Sequence, residues 1–242
     1  NKLQNTALVL GNEDLLIPIL NSIPSCIKDI NITMGLPLKQ IPFSAFIGQW
    51  FQLHKDLTPL YYYQDVVGVL SHQFVRPLFQ TQEQDAAQLI ITTIKHQNLI
   101  SLSKDQIIAI APDHKDNLEL LFDTWNDQPN IAIERVLTLI FKLKDHYTKS
   151  KNNHLLALEY LYRFSEIFNH LQNLNATYSY ITSIKVLQSL YKELLSLETL
   201  DFKGQPLKGL QIMGMLESRV LDFETVIIVS VNEGVLPAGK TN

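Results

Sequence analysis

The sequence predicts an α/β protein in which a parallel sheet is built from both ends of the chain and is interrupted by a large helical block. Three observations lead to this fold class. Short apolar runs lie near both termini, the apolar spacing between them is helical, and neither end alone has enough strands to close a core. We therefore expect a discontinuous sheet domain of residues 1–56 plus 201–242, and an all-helical insertion of residues 57–200.

The first fifty residues alternate between strands and helices. An apolar run at residues 6–10 predicts a buried strand, and residues 13–20 follow it as a short helix. Residues 30–33 form a second strand with alternating apolar positions. Pro42 suits the first turn of a helix over residues 43–54, because proline lacks the N–H that this turn leaves unpaired. This order is typical of an α/β layer.

Apolar residues in the middle of the chain recur at helical intervals. Positions i, i+3, i+4 and i+7 lie on one face of a helix, so such a set predicts an amphipathic helix. The clearest set comprises Ala86, Leu89, Ile90, Thr93 and Ile94. Similar sets begin at Ile133, Leu155 and Ile181. The middle of the chain is therefore predicted to contain at least four helices.

Two further apolar runs, residues 210–215 and 226–231, flank a charged loop at residues 217–222. Near-continuous apolar runs are typical of buried strands in a parallel sheet. Open α/β sheets bind their ligands at the carboxyl ends of such strands. The loop between these two strands is therefore a candidate binding loop.

The composition excludes several classes of protein. Twenty Lys and Arg against 24 Asp and Glu give a net charge of −4, so no overall basic field indicates a nucleic-acid partner. The single cysteine, Cys26, excludes an internal disulfide framework and a cysteine-based zinc site. A reducing cytoplasm is the expected setting. The sequence has no apolar run of membrane-spanning length, so we expect no membrane partner.

The last thirty residues resemble motif V of the UvrD/Rep-type superfamily 1 helicases. That motif runs Met-Thr-x-His-x-x-Lys-Gly-Leu-Glu-Phe, followed by an apolar strand and Glu-Gly-x-x-Pro. The matching positions are Met213, Gly214, Leu216, Arg219, Val220, Leu221, Asp222 and Phe223, then Glu233, Gly234 and Pro237. The spacing holds without gaps, but several polar residues differ. Gly214, Leu216 and Val220 replace the helicase Thr, His and Gly, and Asp222 replaces its Glu.

Such erosion is similar to the helicase-like half of AddB-type proteins, the B subunits of bacterial ATP-dependent helicase–nucleases. These proteins keep a RecA-like (P-loop NTPase-type) fold, have lost most ATPase residues and carry a PD-(D/E)XK nuclease domain further along the chain. The resemblance implies that residues 1–56 plus 201–242 are a truncated 2A-type domain. Residues 57–200 then correspond to the helical 2B-like insertion, and the chain is a fragment of a longer protein.

The same resemblance implies a function in DNA repair and recombination for the whole protein, as a cytoplasmic PD-(D/E)XK exonuclease. Its partners are DNA and an AddA-like helicase subunit. Mg²⁺ for the nuclease, and ATP bound by the partner subunit, are the implied cofactors of the whole protein. In this piece we expect no catalytic residue, no metal and no cofactor.

The resemblance places nucleic-acid contacts at Arg219 and Ser218, in the candidate loop, and at Thr33 and Gly35, after the second strand. A guanidinium pairs two phosphate oxygens at once, which suits Arg219 to a DNA backbone. The equally weighted alternative is a structural ion pair of Arg219 with a carboxylate of its own loop, from Glu217 or Asp222. Gly35 allows close approach of a ligand or, as we favour, a positive φ in a turn.

Nucleotide binding has weaker candidates. Asp222 keeps the carboxylate that helicases place near the nucleotide sugar, but with one methylene fewer. Residues 234–241 match the Walker A expression, whose phosphate contacts would fall to Gly239, Lys240 and Thr241. Pro237 removes an N–H from that loop, so we favour an ordinary surface loop.

Two other clusters allow more than one interpretation. Base stacking is the less favoured role for the triplet Tyr61, Tyr62 and Tyr63. Lys142, Lys144, Lys149 and Lys151 form a basic stripe near a helix end. Lysines there also complement the helix dipole, which is the interpretation that we favour.

The sequence thus predicts a degenerate helicase-like domain that forms part of a DNA channel and acts as a scaffold, without ATPase or nuclease activity of its own. One alternative is a protein–protein docking module with no nucleic-acid contact, which the acidic net charge favours. Another is an ATP-binding domain that uses residues 234–241.

Overall fold

The structure is a computed structural model and describes residues 2–24, 26–27, 29–55, 58–81, 84–150, 155–200 and 209–232. It is mixed α/β and mostly helical, with a four-stranded parallel sheet. The chain divides into two compact units. We call Asn1–Gln40 with Glu198–Asn242 the α/β unit, and Ile41–Leu197 the helical unit. Among the described helices, none combines the length and the apolar character needed to span a membrane.

The strands and helices alternate at the start of the chain, and helices dominate its middle. The strands are β1 (Thr6–Leu10), β2 (Ile30–Ile32), β3 (Leu36–Pro37), β4 (Leu60–Tyr62), β5 (Ser101–Ser103), β6 (Thr199–Leu200), β7 (Leu210–Gly214) and β8 (Thr225–Val229). The α-helices are α1 (Leu16–Ser22), α2 (Pro42–Leu53), α3 (Tyr63–Ser71), α4 (Ala86–His96), α5 (Lys104–Ile110), α6 (Lys115–Phe122), α7 (Pro129–Lys149), α8 (Leu155–Tyr178) and α9 (Ile184–Leu197). Helices α4, α7, α8 and α9 confirm the four sets of helically spaced apolar residues.

The parallel sheet has the strand order β2-β7-β1-β8 and draws on both ends of the chain. In the register of β1, Leu8 lies opposite Ile212 of β7 on one side and opposite Ile227 of β8 on the other. The small core on this sheet contains Ala7, Val9 and Met213. The predicted strands at the two termini therefore belong to one sheet, in parallel orientation.

Strands β7 and β8 differ in burial, although the sequence predicts both as buried. All five residues of β7 are buried, because β7 has a strand on each side. Strand β8 lies at the edge of the sheet, and Val226, Ile227 and Ile228 are 45 to 49% exposed. The strand itself was predicted correctly, but its burial was not, because an apolar run does not show whether a strand is central or at an edge.

The start of β7 depends on a glycine. Gly209 has φ of 77°, a conformation that L side chains rarely adopt. A Cβ at this position would collide with the carbonyl group of Asp29. The next residue, Leu210, donates its N–H to the same carbonyl oxygen at 3.0 Å. Close backbone approach at Gly209 thus aligns β7 with β2.

The helical unit is packed around aromatic side chains and includes α2. The ring of Phe43 lies edge-on to Phe164 of α8 at 5.0 Å, and Trp50 lies edge-on to Trp125 at 5.3 Å. The unit boundary is therefore at residue 41, whereas the sequence-based boundary assigned residues up to 56 to the sheet domain. The aromatic face of α2 accounts for the difference, since the helix buries that face within the helical unit.

The sequence predicted an all-helical insertion, but the helical unit also contains two short strands. Strands β4 and β5 form a two-stranded antiparallel sheet in which Tyr61 lies opposite Leu102. Both of these side chains are buried in the core. Each strand has only three residues, which is too short for an alternating pattern to stand out from helical spacing.

Candidate functional site

The carboxyl edge of the four-stranded sheet brings together the loops that the sequence singled out. Because β1, β2, β7 and β8 are parallel, the residues that follow them all start at this edge. Asn12 and Glu13 follow β1, and Thr33 follows β2. The predicted binding loop follows β7. This edge is the candidate site.

The loop after β7 is a short 3-10 turn at Glu217–Val220. Ser218 Oγ donates a hydrogen bond of 2.8 Å to the carbonyl oxygen of Met215, which ties the turn to the end of the strand. Arg219 is exposed on the same turn. Ser218 therefore shapes the loop, while Arg219 is the side chain that reaches solvent.

Arg219 does not form the ion pair that was its alternative role. Within the described part of the chain, neither Glu217 nor Asp222 has a carboxylate oxygen within 4.0 Å of the Arg219 guanidinium. Asp222 is itself exposed. Neither carboxylate of its own loop therefore occupies the Arg219 guanidinium.

Two carboxylates crowd the end of β7 at Gly214. A Cβ on Gly214 would lie 2.5 Å from Glu217 Oε2 and 2.8 Å from Glu13 Oε1. The missing side chain at this position, where the helicase motif has Thr, leaves room for both carboxylates. Two negative charges here oppose phosphate oxygens that approach the end of β7.

Thr33 and Gly35 occupy the neighbouring loop. Thr33 donates its backbone N–H to the Ile212 carbonyl oxygen at 3.1 Å, and its Oγ1 lies 3.5 Å from the same atom. These bonds extend the pairing of β2 with β7 by one residue. The positive φ predicted for Gly35 is wrong, because Gly209 is the one described glycine with a positive φ. The sharp backbone approach occurs at the start of β7 instead of after β2.

Some predicted site residues cannot be located. Gly239, Lys240 and Thr241, the residues of the Walker A-like match, lie outside the described residues, as do Glu233, Gly234 and Pro237 of the motif. Among the residues that the structure describes, no three or more His, Cys, Asp or Glu side chains are arranged to hold a metal ion.

The tyrosine triplet has two different environments. Tyr61 is buried, and its hydroxyl donates to the carbonyl oxygen of Phe122. Burial, together with the nearby Asp123 carboxylate, raises the pKa of Tyr61 to about 12. This ring is part of the core and is closed to bases. Tyr62 is exposed and packs edge-on against Tyr63.

The sequence patterns did not single out His54, whose role follows from its contacts in the fold. His54 is buried and stacks on Trp125 with ring centroids 4.3 Å apart. Its Nε2 lies 2.9 Å from the Leu121 carbonyl oxygen, which also accepts a 2.9 Å hydrogen bond from Trp50 Nε1. Both residues thus satisfy a carbonyl that the C-terminus of α6 leaves unpaired.

The protonation of His54 is set by its surroundings. Burial lowers the pKa of His54 to about 4, outweighing the hydrogen bond to Leu121 that favours the charged form. The ring is therefore neutral at physiological pH and donates from Nε2. The i, i+4 spacing of Trp50 and His54 on an amphipathic helix was the available signal, because it places both side chains on one face.

No protein-family model and no curated protein sequence matches this chain. The structure itself defines a mixed α/β protein, mostly helical, with a four-stranded parallel sheet.

Proposed function

We propose that this chain is a non-catalytic, helicase-like DNA-contacting scaffold. In this proposal the α/β unit is a RecA-like 2A-type domain, and the helical unit is its 2B-like insertion. The observation that carries the proposal is the parallel pairing of β1 with both β7 and β8. That pairing puts the motif V-like loop, with its exposed Arg219, at the edge where α/β sheets bind ligands.

The carboxylates at Gly214 support the non-catalytic part of the proposal. A domain that binds ATP at this edge needs donors and positive charge for the phosphates. Here Glu13 and Glu217 supply negative charge instead. The proposal therefore assigns Arg219 to a backbone phosphate of DNA and assigns no nucleotide to this loop.

The broader role follows from the resemblance to AddB-type proteins. We propose a parent protein that acts in DNA repair and recombination, in the cytoplasm, with an AddA-like helicase subunit as its partner. Mg²⁺ would serve the PD-(D/E)XK exonuclease of that parent, and ATP would be bound by the partner subunit. The present chain would hold the strand in place and keep the nuclease in register.

A titration of the 242-residue chain with a fluorescently labelled oligothymidylate tests the proposal. Arg219→Gln should weaken binding about three- to tenfold, because one charged phosphate contact is lost. Lys192→Gln is the matched control, since Lys192 is exposed on α9, in the other unit. Equal loss in both variants would mean that only overall charge matters, and would overturn the role of Arg219.

ATP turnover provides the second arm of this test. The proposal expects the purified chain to release no phosphate from ATP above the background rate, with or without the oligothymidylate. Turnover that depends on the protein concentration would overturn the non-catalytic assignment and would favour the ATP-binding alternative through residues 234–241.

A protein–protein docking module is the second candidate, and a specific observation favours it. Between α8 and α9 lies an apolar cavity of about 220 Å³. Its lining residues are Leu171, Leu174, Leu190, Glu193, Leu194 and Leu197. Leucine-rich cavities of this kind accept apolar side chains of a partner helix. Absence of oligothymidylate binding at every salt concentration would favour this candidate over the first.

A further inference from the structure

A cleft on the helical unit differs in charge from the rest of the chain. The cleft has a volume of about 520 Å³ and lies between the C-terminal half of α7 and the segment around Leu78. Its ionisable lining consists of His114, Lys142, Asp145, His146 and Lys149. We call it the α7 cleft. With histidine counted as neutral, two lysines against one aspartate give this lining a net charge of +1, whereas the whole chain has a net charge of −4 on the same count.

Three of the basic side chains form a single row. Lys142, His146 and Lys149 are spaced i, i+4 and i+7 along α7, so they share one face of the helix. His114 lies in the same cleft and is held by its ring contact with Phe79, whose centroid is 5.3 Å away. The row spans about 10 Å of the helix axis, at 1.5 Å per residue.

Lys142 is positioned without being neutralised. Its Nζ donates a 2.8 Å hydrogen bond to Asn117 Oδ1, and Asn117 Nδ2 donates in turn to the Leu78 carbonyl oxygen at 3.1 Å. Throughout the described chain, no carboxylate oxygen lies within 4.0 Å of Lys142 Nζ. A half-buried ammonium group is thus fixed by a neutral amide, and its charge remains available to an anion.

Lys149 forms an exposed ion pair with Asp145 that an anionic ligand can replace. Its Nζ lies 2.7 Å from Asp145 Oδ2, but both side chains are more than half exposed. Exposed pairs of this kind contribute little to stability, because water screens them and two long side chains must be ordered. A polyanion that brings several negative charges to the cleft can therefore compete with Asp145 for Lys149.

The helix dipole explains only part of this arrangement. Cations stabilise a helix when they lie in its last turn, and Lys149 is the last residue of α7. Lys142 lies two turns earlier, beyond the reach of that effect. The dipole interpretation favoured on the sequence alone therefore does not account for Lys142, or for the neutral partner that holds it.

We propose that the α7 cleft binds consecutive phosphates of a single-stranded DNA backbone. This inference rests on the proposed function and names the surface through which the helical unit contacts the strand. A row about 10 Å long suits a linear polyanion better than one isolated phosphate group, which a single lysine would neutralise.

The test uses the complete chain and a labelled oligothymidylate, titrated at several salt concentrations. The double variant Lys142→Gln/Lys149→Gln should bind about tenfold more weakly than the unmodified chain. The slope of log affinity against log salt should become shallower by about 0.7 for each lysine removed. Lys185→Gln/Lys192→Gln is the matched control, because it removes two exposed lysines of α9 and should leave that slope within error.

A gain of affinity gives a readout that misfolding cannot produce. Asp145→Asn removes the carboxylate found among the described residues that line the cleft and frees Lys149, so it should strengthen binding about threefold. Glu193→Gln changes the net charge equally and lies in the leucine-lined cavity instead, so it should have no such effect. Gain from Asp145→Asn alone supports the proposal, and equal effects of both variants overturn it.

The outcomes separate this inference from the proposed function. If Arg219→Gln weakens binding but the cleft variants behave like their controls, the inference is overturned and the proposed function stands. If the unmodified chain shows no salt-dependent binding of the oligothymidylate, the proposed function fails and the inference fails with it.

Discussion

The two units of this chain maintain their folds in different ways. In the α/β unit, the critical features are in the backbone and in uncharged amides. Gly209 needs a positive φ, and the buried side chains of Asn31 and Gln211 share a 2.7 Å hydrogen bond between β2 and β7. In the helical unit, ring donors of Trp50 and His54 satisfy the end of α6. The stability of the α/β unit therefore depends on backbone geometry, whereas the stability of the helical unit depends on the protonation state of His54.

The largest effect is expected from a side chain at Gly209. Gly209→Ala should destabilise the α/β unit by about 3 kcal/mol or more, because it combines a strained φ with a collision against the Asp29 carbonyl group. Urea unfolding followed by circular dichroism measures this. Gly48→Ala in α2 is the control, since a Cβ there meets nothing within 4 Å and should stabilise the helix by up to about 1 kcal/mol. An unchanged midpoint for Gly209→Ala would contradict the backbone account.

Acid should act on the helical unit through His54. Its pKa is about 4 in the fold and about 6.5 in the unfolded chain, so below pH 6.5 the unfolded state binds the extra proton. Stability is then fully present above pH 6.5 and is lost as pH falls towards 4, by about 2 kcal/mol between pH 7 and pH 5.

Thermal or urea unfolding at several pH values checks the role of His54. The variant His54→Gln should lose this part of the pH dependence while being less stable at pH 7. His96→Gln should keep the full dependence, because His96 is exposed on α4. If His54→Gln and the unmodified chain lose equal stability between pH 7 and pH 5, the role assigned to His54 is wrong.

The buried amide pair should give an intermediate effect. Asn31→Ala leaves Gln211 Oε1 without its partner and should cost about 1 to 3 kcal/mol of unfolding free energy. Gln211→Leu should cost more than Asn31→Ala, because it also removes the 3.1 Å hydrogen bond that Gln211 Nε2 donates to the Gly209 carbonyl oxygen. Denaturant unfolding of both variants tests this order. The reverse order would show that these amide hydrogen bonds do not stabilise the sheet.

The smallest effect concerns the charge at the sheet edge. Replacing both acids, as Glu13→Gln/Glu217→Gln, should raise the affinity for a labelled oligothymidylate about two- to threefold, because two repulsive charges at the end of β7 are removed. Anisotropy titration against Glu134→Gln/Glu193→Gln, which removes two exposed charges of the helical unit, measures it. Unchanged affinity would show that the strand does not approach this edge.

Sequence patterns predicted the positions of strands and helices better than the burial and contacts of individual side chains. The run at residues 6–10 is β1 residue for residue, and Pro42 begins α2 as expected. Both follow from local chemistry: a short apolar run between polar residues, and a fixed φ without an N–H. The helices of the middle of the chain are equally local.

Features that depend on distant residues were not predictable. The burial of Tyr61 depends on a carbonyl 61 positions away, and the pKa of His54 depends on the end of α6. The exposure of β8 depends on its place at the edge of the sheet. The motif identified Arg219 as a candidate, but whether a loop carboxylate pairs with it depends on the folded geometry of the turn.

Salt-dependent binding of single-stranded DNA tests the central claim most directly. The measurement is anisotropy of a labelled oligothymidylate with the 242-residue chain, from about 0.05 to 0.3 M salt. Our account predicts binding that weakens as salt rises, with a slope of about −0.7 for each phosphate contact. Absence of binding at the lowest salt concentration, or affinity independent of salt, would contradict it.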